Sequence, residues 1–254
     1  MIAYKKVDSG YSLEGKTALI TGGAAGIGHA VAQFFAEKGV SVALVDLNPD
    51  VNDVAKKLSP DAIGIVTNVT KTDDVQNAVD KTVQAFGKID ILVNCAGIVR
   101  LEAAEDISMD DWNSTIAVNL TASFIVAQIV GRQMIKQEGG AIVNIASQAG
   151  IIALDKHVAY CASKGGIIAM TKVLAMEWAK YGVRVNAISP TVVLTELGHQ
   201  AWDGPKGEAM KKEIPAGRFA EPDEIAGCVA FLCSQAAAMI TGENMLIDGG
   251  YTIK

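Results

Sequence analysis

Thr17-Ala18-Leu19-Ile20-Thr21-Gly22-Gly23-Ala24-Ala25-Gly26-Ile27-Gly28 decides the fold. Its first four residues form a short strand-like run, and a helical pattern continues from Ile27 to Glu37 and stops at Gly39. Glycines between a strand and a helix let backbone approach a ligand closely. Gly22, Gly26 and Gly28 permit a tight turn, and the helix start offers unpaired N–H groups to a pyrophosphate. The spacing is G-x-x-x-G-x-G instead of G-x-G-x-x-G, but the physical requirement is unchanged. Such a turn alone is weak evidence; its place directly after the first strand strengthens it.

Outward from this turn, strands and helices alternate to the end of the chain. Strands are expected at Val42 to Val45, Ala62 to Val66, Ile89 to Val93, Ala141 to Ile145, Val183 to Ile188 and Asn244 to Ile247. Helical stretches run from Thr72 to Phe86, Met109 to Lys136, His157 to Tyr181 and Glu221 to Ser234. Apolar strands separated by helices imply a parallel sheet covered on both faces. The expectation is an α/β fold with a doubly wound, seven-stranded parallel sheet of Rossmann type, forming a single domain over residues 1–254. Residues 1–13 read as an N-terminal extension. The stretch of about 191–217 lacks sheet-building signals and carries Gly198, Gly204, Pro205 and Gly207, so a mobile substrate lobe is expected there.

Half of the residues are hydrophobic, enough for a large core, and the net charge is −6 with no basic cluster. Nucleic acid and anionic membrane surfaces are therefore poor partners. The runs 63–66 and 89–93 are too short to span a bilayer. Residues 1–14 carry charge and lack an apolar segment of signal-peptide length. Cys95, Cys161, Cys228 and Cys233 form no CxxC pair and no zinc pattern, which reads as buried reduced thiols in a cytoplasmic protein without a metal.

Asp46 ends the second strand, 18 residues after Gly28. A carboxylate there can accept hydrogen bonds from both hydroxyls of an adenosine ribose. It would repel the extra phosphate of NADP, and no Lys or Arg within Gly22 to Gly28 or directly after Asp46 compensates. NAD is the expected cofactor. Tyr160 and Lys164, four residues apart, share one helix face. An ammonium ~4 Å from a phenol, at a dielectric of ~20, contributes about 4 kcal/mol toward the phenolate and would draw it to working pH. Ser147, just after the fifth strand, could hold the substrate oxygen at the edge where such folds bind ligands.

These residues together resemble the short-chain dehydrogenase/reductase family over about Leu13 to Ile253. The shared motifs are TGxxxGxG (Thr21 to Gly28), NxAG (Asn94 to Gly97), Ser147, and YxxxK (Tyr160 to Lys164), with the 13-residue Ser–Tyr separation. The resemblance implies a catalytic set of Asn119, Ser147, Tyr160 and Lys164, with Asn119 supporting a water-linked proton path from the lysine. It implies cofactor contacts from Gly22, Gly26, Ile27, Gly28, Asp46, Asn68, Val69, Asn94, Ala96, Gly97, Tyr160, Lys164, Pro190, Val193 and Thr195. Lys164 would hold the nicotinamide ribose and Thr195 the carboxamide. The chain departs from the family at Asn68, where Asp is usual, at Cys95, in place of a second Asn, and at Thr191, where Gly commonly follows the proline. Asn68 can still bond the adenine amino group through its carbonyl.

Segments 189–221 and 248–252 are similar to the polyol branch of the family, namely xylulose reductases and galactitol and threitol dehydrogenases. That resemblance implies NAD-dependent oxidation of a secondary alcohol in a short polyol, such as threitol, to the ketose. A carbonyl or 3-oxoacyl reductase is the main alternative; a non-catalytic NAD sensor is the remote one, disfavoured because Tyr160 and Lys164 are both present. Gln148, His157 and Trp202 join Ser147 and Tyr160 as candidate substrate contacts, with Trp202 anchoring a lid. The helices around Val118 to Ile135 and His157 to Tyr181 carry more apolar positions than one sheet-facing stripe needs. A homotetramer is expected, with the tail through Ile253 packing on a neighbour.

Overall fold

Short apolar strands need cover on both faces, and here the helices supply it. The structure, a computed structural model, describes residues 11–253; positions 1–10 of the expected extension lie outside the described residues. Among these, seven strands form one sheet: β1 Thr17–Thr21, β2 Ser41–Asp46, β3 Ile63–Val66, β4 Ile91–Asn94, β5 Gly140–Ile145, β6 Val183–Pro190 and β7 Asn244–Ile247. Their order is β3-β2-β1-β4-β5-β6-β7, and every neighbouring pair is parallel. The order reverses between β1 and β4, the switch point where such sheets bind ligands.

Alternate residues of each strand enter two separate cores. Ala18, Ile20, Ile91 and Val93 join one with α1 Gly26–Glu37, α2 Val51–Leu58 and α9 Pro222–Cys233. Leu19, Leu92 and Ile142 join the other with α3 Thr72–Phe86, α5 Ala122–Lys136 and α6 Val158–Trp178. Leu13, inside the expected extension, is fully buried in the first core. Cys233 is buried there too, while Cys95, Cys161 and Cys228 are only partly covered; all four are free thiols.

The helix expected over 109–136 begins with α4 Met109–Ile116, where the Ser108 hydroxyl accepts the Asp111 N–H at 3.0 Å. It then widens into a π-turn over Ala117–Thr121 before α5. A window in this helix has mean hydropathy 1.5 and the length to cross a membrane. Half of that window is buried, with Val126, Val130 and Met134 packed against the sheet.

The segment of about 191–217 holds helices that its sequence did not signal. It holds α7 Glu196–Trp202, capped by the Thr195 hydroxyl on the Gly198 N–H at 3.1 Å, and α8 Pro205–Glu213, which proline opens. Trp202 packs edge-on to Phe219 with ring centroids 5.8 Å apart. Beyond the lobe, Arg218 makes two 2.7 Å bonds to Glu224, which also accepts the Glu221 N–H to start α9. This pair holds the Glu224 carboxyl down at about 2.

Candidate active site

The carboxyl ends of the central strands open onto a cavity of about 860 Å³. Gly22 and Gly28 make its floor possible. A Cβ on Gly22, whose φ is +65°, would stand 2.9 Å from Ala96 backbone, and one on Gly28 would stand 2.2 Å from the Gly22 carbonyl. Gly28 therefore packs helix against turn and does not face the cavity, which Gly22, Gly26 and Ile27 line. Ala25 offers α1 no side-chain cap, so the first-turn N–H groups remain for an anion. Thr21 Oγ1 accepts the Cys95 and Ala96 N–H groups at 3.1 and 3.2 Å, tying the loop after β4 to the turn.

Asp46 accepts the Ala24 N–H at 3.0 Å through one carboxylate oxygen and the Asn48 N–H at 3.0 Å through the other. It thus braces the glycine turn and still faces the cavity with free lone pairs. The cations in the cavity lining are Arg100 and Lys164; neither belongs to the glycine turn or to the segment after β2. Asn68 and Val69 also line it. The Asn68 carbonyl, expected to meet adenine, accepts the Thr70 N–H at 3.0 Å and hydroxyl at 2.7 Å. Ala96, Gly97, Pro190 and Thr195 line the wall, while Val193 is drawn aside by its bridge to Ala220.

Asn94 is not at the cavity. It is buried behind it, donating to Asn144 Oδ1 at 2.9 Å and the Ser123 carbonyl at 3.2 Å. Its side chain leaves β4 on the same face as Leu92, beneath α5, which is why it misses the ligand side.

Ser147, Tyr160 and Lys164 converge on the cavity from β5 and α6. Lys164 Nζ donates to the Ile145 carbonyl at 2.7 Å and lies 5.5 Å from the Tyr160 ring centroid. With only 4% of its surface exposed, burial lowers its pKa to about 8. The expected depression of the Tyr160 phenol is not found. Burial raises its pKa, and the opposing hydrogen bond with the Ser147 side chain does not offset that. The Lys164 ammonium is committed to a backbone carbonyl, so desolvation of the phenolate wins. Cys95, also in the lining, is pushed up to about 11 by burial and stays a neutral thiol.

Asn119 sits fully buried in the π-turn and does not line the cavity. Its amide clamps Ile98, accepting the N–H at 2.8 Å and donating to the carbonyl at 2.9 Å, and it donates to Ser163 Oγ at 3.1 Å. Of the candidate substrate contacts, Gln148 and His157 are also absent from the cavity lining; Gln148 is buried next to Ser147, with Oε1 unpaired among the described residues. His157 stacks edge-on to Tyr160 with centroids 6.1 Å apart. Trp202 lies outside the cavity lining: it is a lobe anchor against Phe219, with Lys206 Nζ 4.6 Å from its ring centroid. Roles for Thr21, Arg100 and Ser163 were not foreseen: Thr21 opens TGxxxGxG and Ser163 lies within YxxxK, but only the tertiary structure supplies their neighbours.

A family model described as enoyl-(acyl carrier protein) reductase matches residues 22–252. With this sheet order and site, the chain belongs to the short-chain dehydrogenase/reductase family. An NAD-dependent glycerol dehydrogenase from Listeria innocua is 54% identical over all of both chains. A D-threitol dehydrogenase from Mycolicibacterium smegmatis is 56% identical, covering 98% of this chain and 97% of the relative. The crystal structure of a short-chain type dehydrogenase/reductase from Mycobacterium marinum is 36% identical with a TM-score of 0.90, covering 96% of this chain and 98% of that one.

Proposed function

We propose that this enzyme oxidises a secondary alcohol of a short polyol to the ketose, with NAD as cofactor and threitol as the leading substrate. The observation that carries the reading is the convergence of Ser147, Tyr160 and Lys164 on a glycine-floored cavity, with His157 edge-on to the phenol ring. The relatives named for glycerol and D-threitol support the substrate class and extend it to three carbons.

The residues fit a dinucleotide. The glycine turn and uncapped α1 would hold its pyrophosphate, Asp46 its adenosine ribose, and Lys164 its nicotinamide ribose. NAD, when bound, supplies the hydride acceptor. Ser147 Oγ holds the substrate oxygen, and the Tyr160 phenolate accepts the hydroxyl proton. Alkaline pH supplies the phenolate that burial otherwise disfavours, and Asn119 fixes the loop that carries Ile98 over the site. Gln148, buried next to Ser147, and His157, edge-on to Tyr160, support a polar substrate over an acyl chain.

The test is NADH formation at alkaline pH with glycerol, threitol, erythritol, xylitol and galactitol beside 2-alkanols and a 3-hydroxyacyl thioester. A preference for the alkanol or thioester over every polyol would sink the assignment. NAD is expected to be favoured over NADP, and Asp46→Ala to narrow the gap; equal kcat/KM for both cofactors in the wild type contradicts this.

The proposal includes a cytoplasmic homotetramer. Phe124, Val173 and Met176 support the assembly: they leave 41%, 49% and 75% of their surface exposed on α5 and α6.

A further inference from the structure

At the carboxyl edge of β6 stands a buried polar atom with no partner among the described residues. The Thr191 N–H donates to the Ile247 carbonyl at 3.1 Å, which fixes the backbone, and the residue lines the cavity with Pro190, Ser147 and Tyr160. Its Oγ1 is buried and has no hydrogen-bond partner among the described residues. Gln148 Oε1, one strand away, is in the same condition. Ile145 of β5 lies opposite Ile188 of β6, and the Ala146 N–H reaches the Ile188 carbonyl at 2.7 Å. Residues 147–148 and 189–191 therefore leave the sheet as neighbours.

Native proteins leave few such atoms, and each stranded one costs about 1–3 kcal/mol. Where the family pattern described above commonly has glycine after the proline, this chain carries a hydroxyl. We propose that Thr191 is a specificity-determining residue, its hydroxyl pairing with a substrate hydroxyl other than the one oxidised while Gln148 Oε1 accepts from the same molecule. The proposal rests on the polyol reading. Rotation about χ1 exchanges Oγ1 for the methyl group in the cavity wall without moving the backbone. A hydroxyl both donates and accepts, and an amide oxygen accepts, a set that suits vicinal hydroxyls. A simple alkanol leaves both atoms stranded, so the site discriminates against it.

Thr191→Val keeps the volume and deletes the hydroxyl. Steady-state kinetics with threitol and with 2-butanol, for wild type and variant, give the ratio of their kcat/KM values. The ratio is expected to fall roughly 10-fold, as loss of one net hydrogen bond implies. The KM for NAD should not change, and the Tm of the cofactor-free protein should hold or rise. An unchanged ratio overturns the proposal, as does a loss confined to the NAD KM. A Tm lowered by several degrees overturns it as well, because the hydroxyl would then already be satisfied in the free protein. The wild-type arm separates the two levels: preference for 2-butanol over every polyol there removes the polyol reading and this proposal together.

Discussion

Burying the Lys164 ammonium opposes folding, and titration reads the cost. Its pKa falls from 10.5 when free to about 8 in the folded chain, so between those values the unfolded state binds the extra proton. Stability must then rise with pH across that window. The cofactor-free wild type should gain about 3 kcal/mol from pH 8 to 10.5 relative to Lys164→Met, measured by denaturant unfolding of both. A flat difference contradicts the depressed pKa. Tyr160→Phe deletes only the transferable proton, so turnover should drop by roughly 10²–10⁴ with fold and NAD affinity kept; a wild-type rate overturns the assigned chemistry. The convergence of Tyr160 and Lys164 was legible because four residues on a helix fix one face. The phenol's pKa was not, since the partner of the ammonium, the Ile145 carbonyl, is distant in sequence. That Asn94 points beneath α5, away from the cavity, was legible in its strand parity with Leu92.

At the scale of elements, the glycine turn was readable because a strand, three glycines and a helix constrain the backbone jointly. Gly28→Ala tests it: the Cβ would enter the Gly22 carbonyl, a backbone group unable to swing aside. The turn should open, with a lower Tm and NAD binding weakened by calorimetry; unimpaired binding contradicts the packing described. The π-turn over Ala117–Thr121 stayed hidden, because one extra residue in a turn barely disturbs an apolar pattern that runs straight through it. The lobe helices were equally hidden. Their periodic face is small, and contacts such as Trp202 on Phe219 hold them instead of a stripe.

For the whole molecule, the doubly wound parallel sheet of seven strands followed from alternation and right-handed crossovers, neither of which needs side-chain detail. Assembly depends on surfaces instead. Light scattering at micromolar concentration should give four times the chain mass of 26.6 kDa, and Met176→Glu should lower it by placing a carboxylate on the exposed α6 face. A monomer mass for the wild type contradicts the tetramer. One contact also sets a sequence of events in time. Thr195 begins the lobe, and its methyl group stands 3.6 Å from where a Cβ on Gly26 would be. The lobe thus leans on the very turn that receives the coenzyme, and a molecule seated there becomes part of the lobe's footing. Binding should therefore be ordered, coenzyme first and polyol second. In calorimetry NAD alone should give heat and threitol alone none, with threitol binding appearing only once NADH, which cannot turn over with the alcohol, fills the turn.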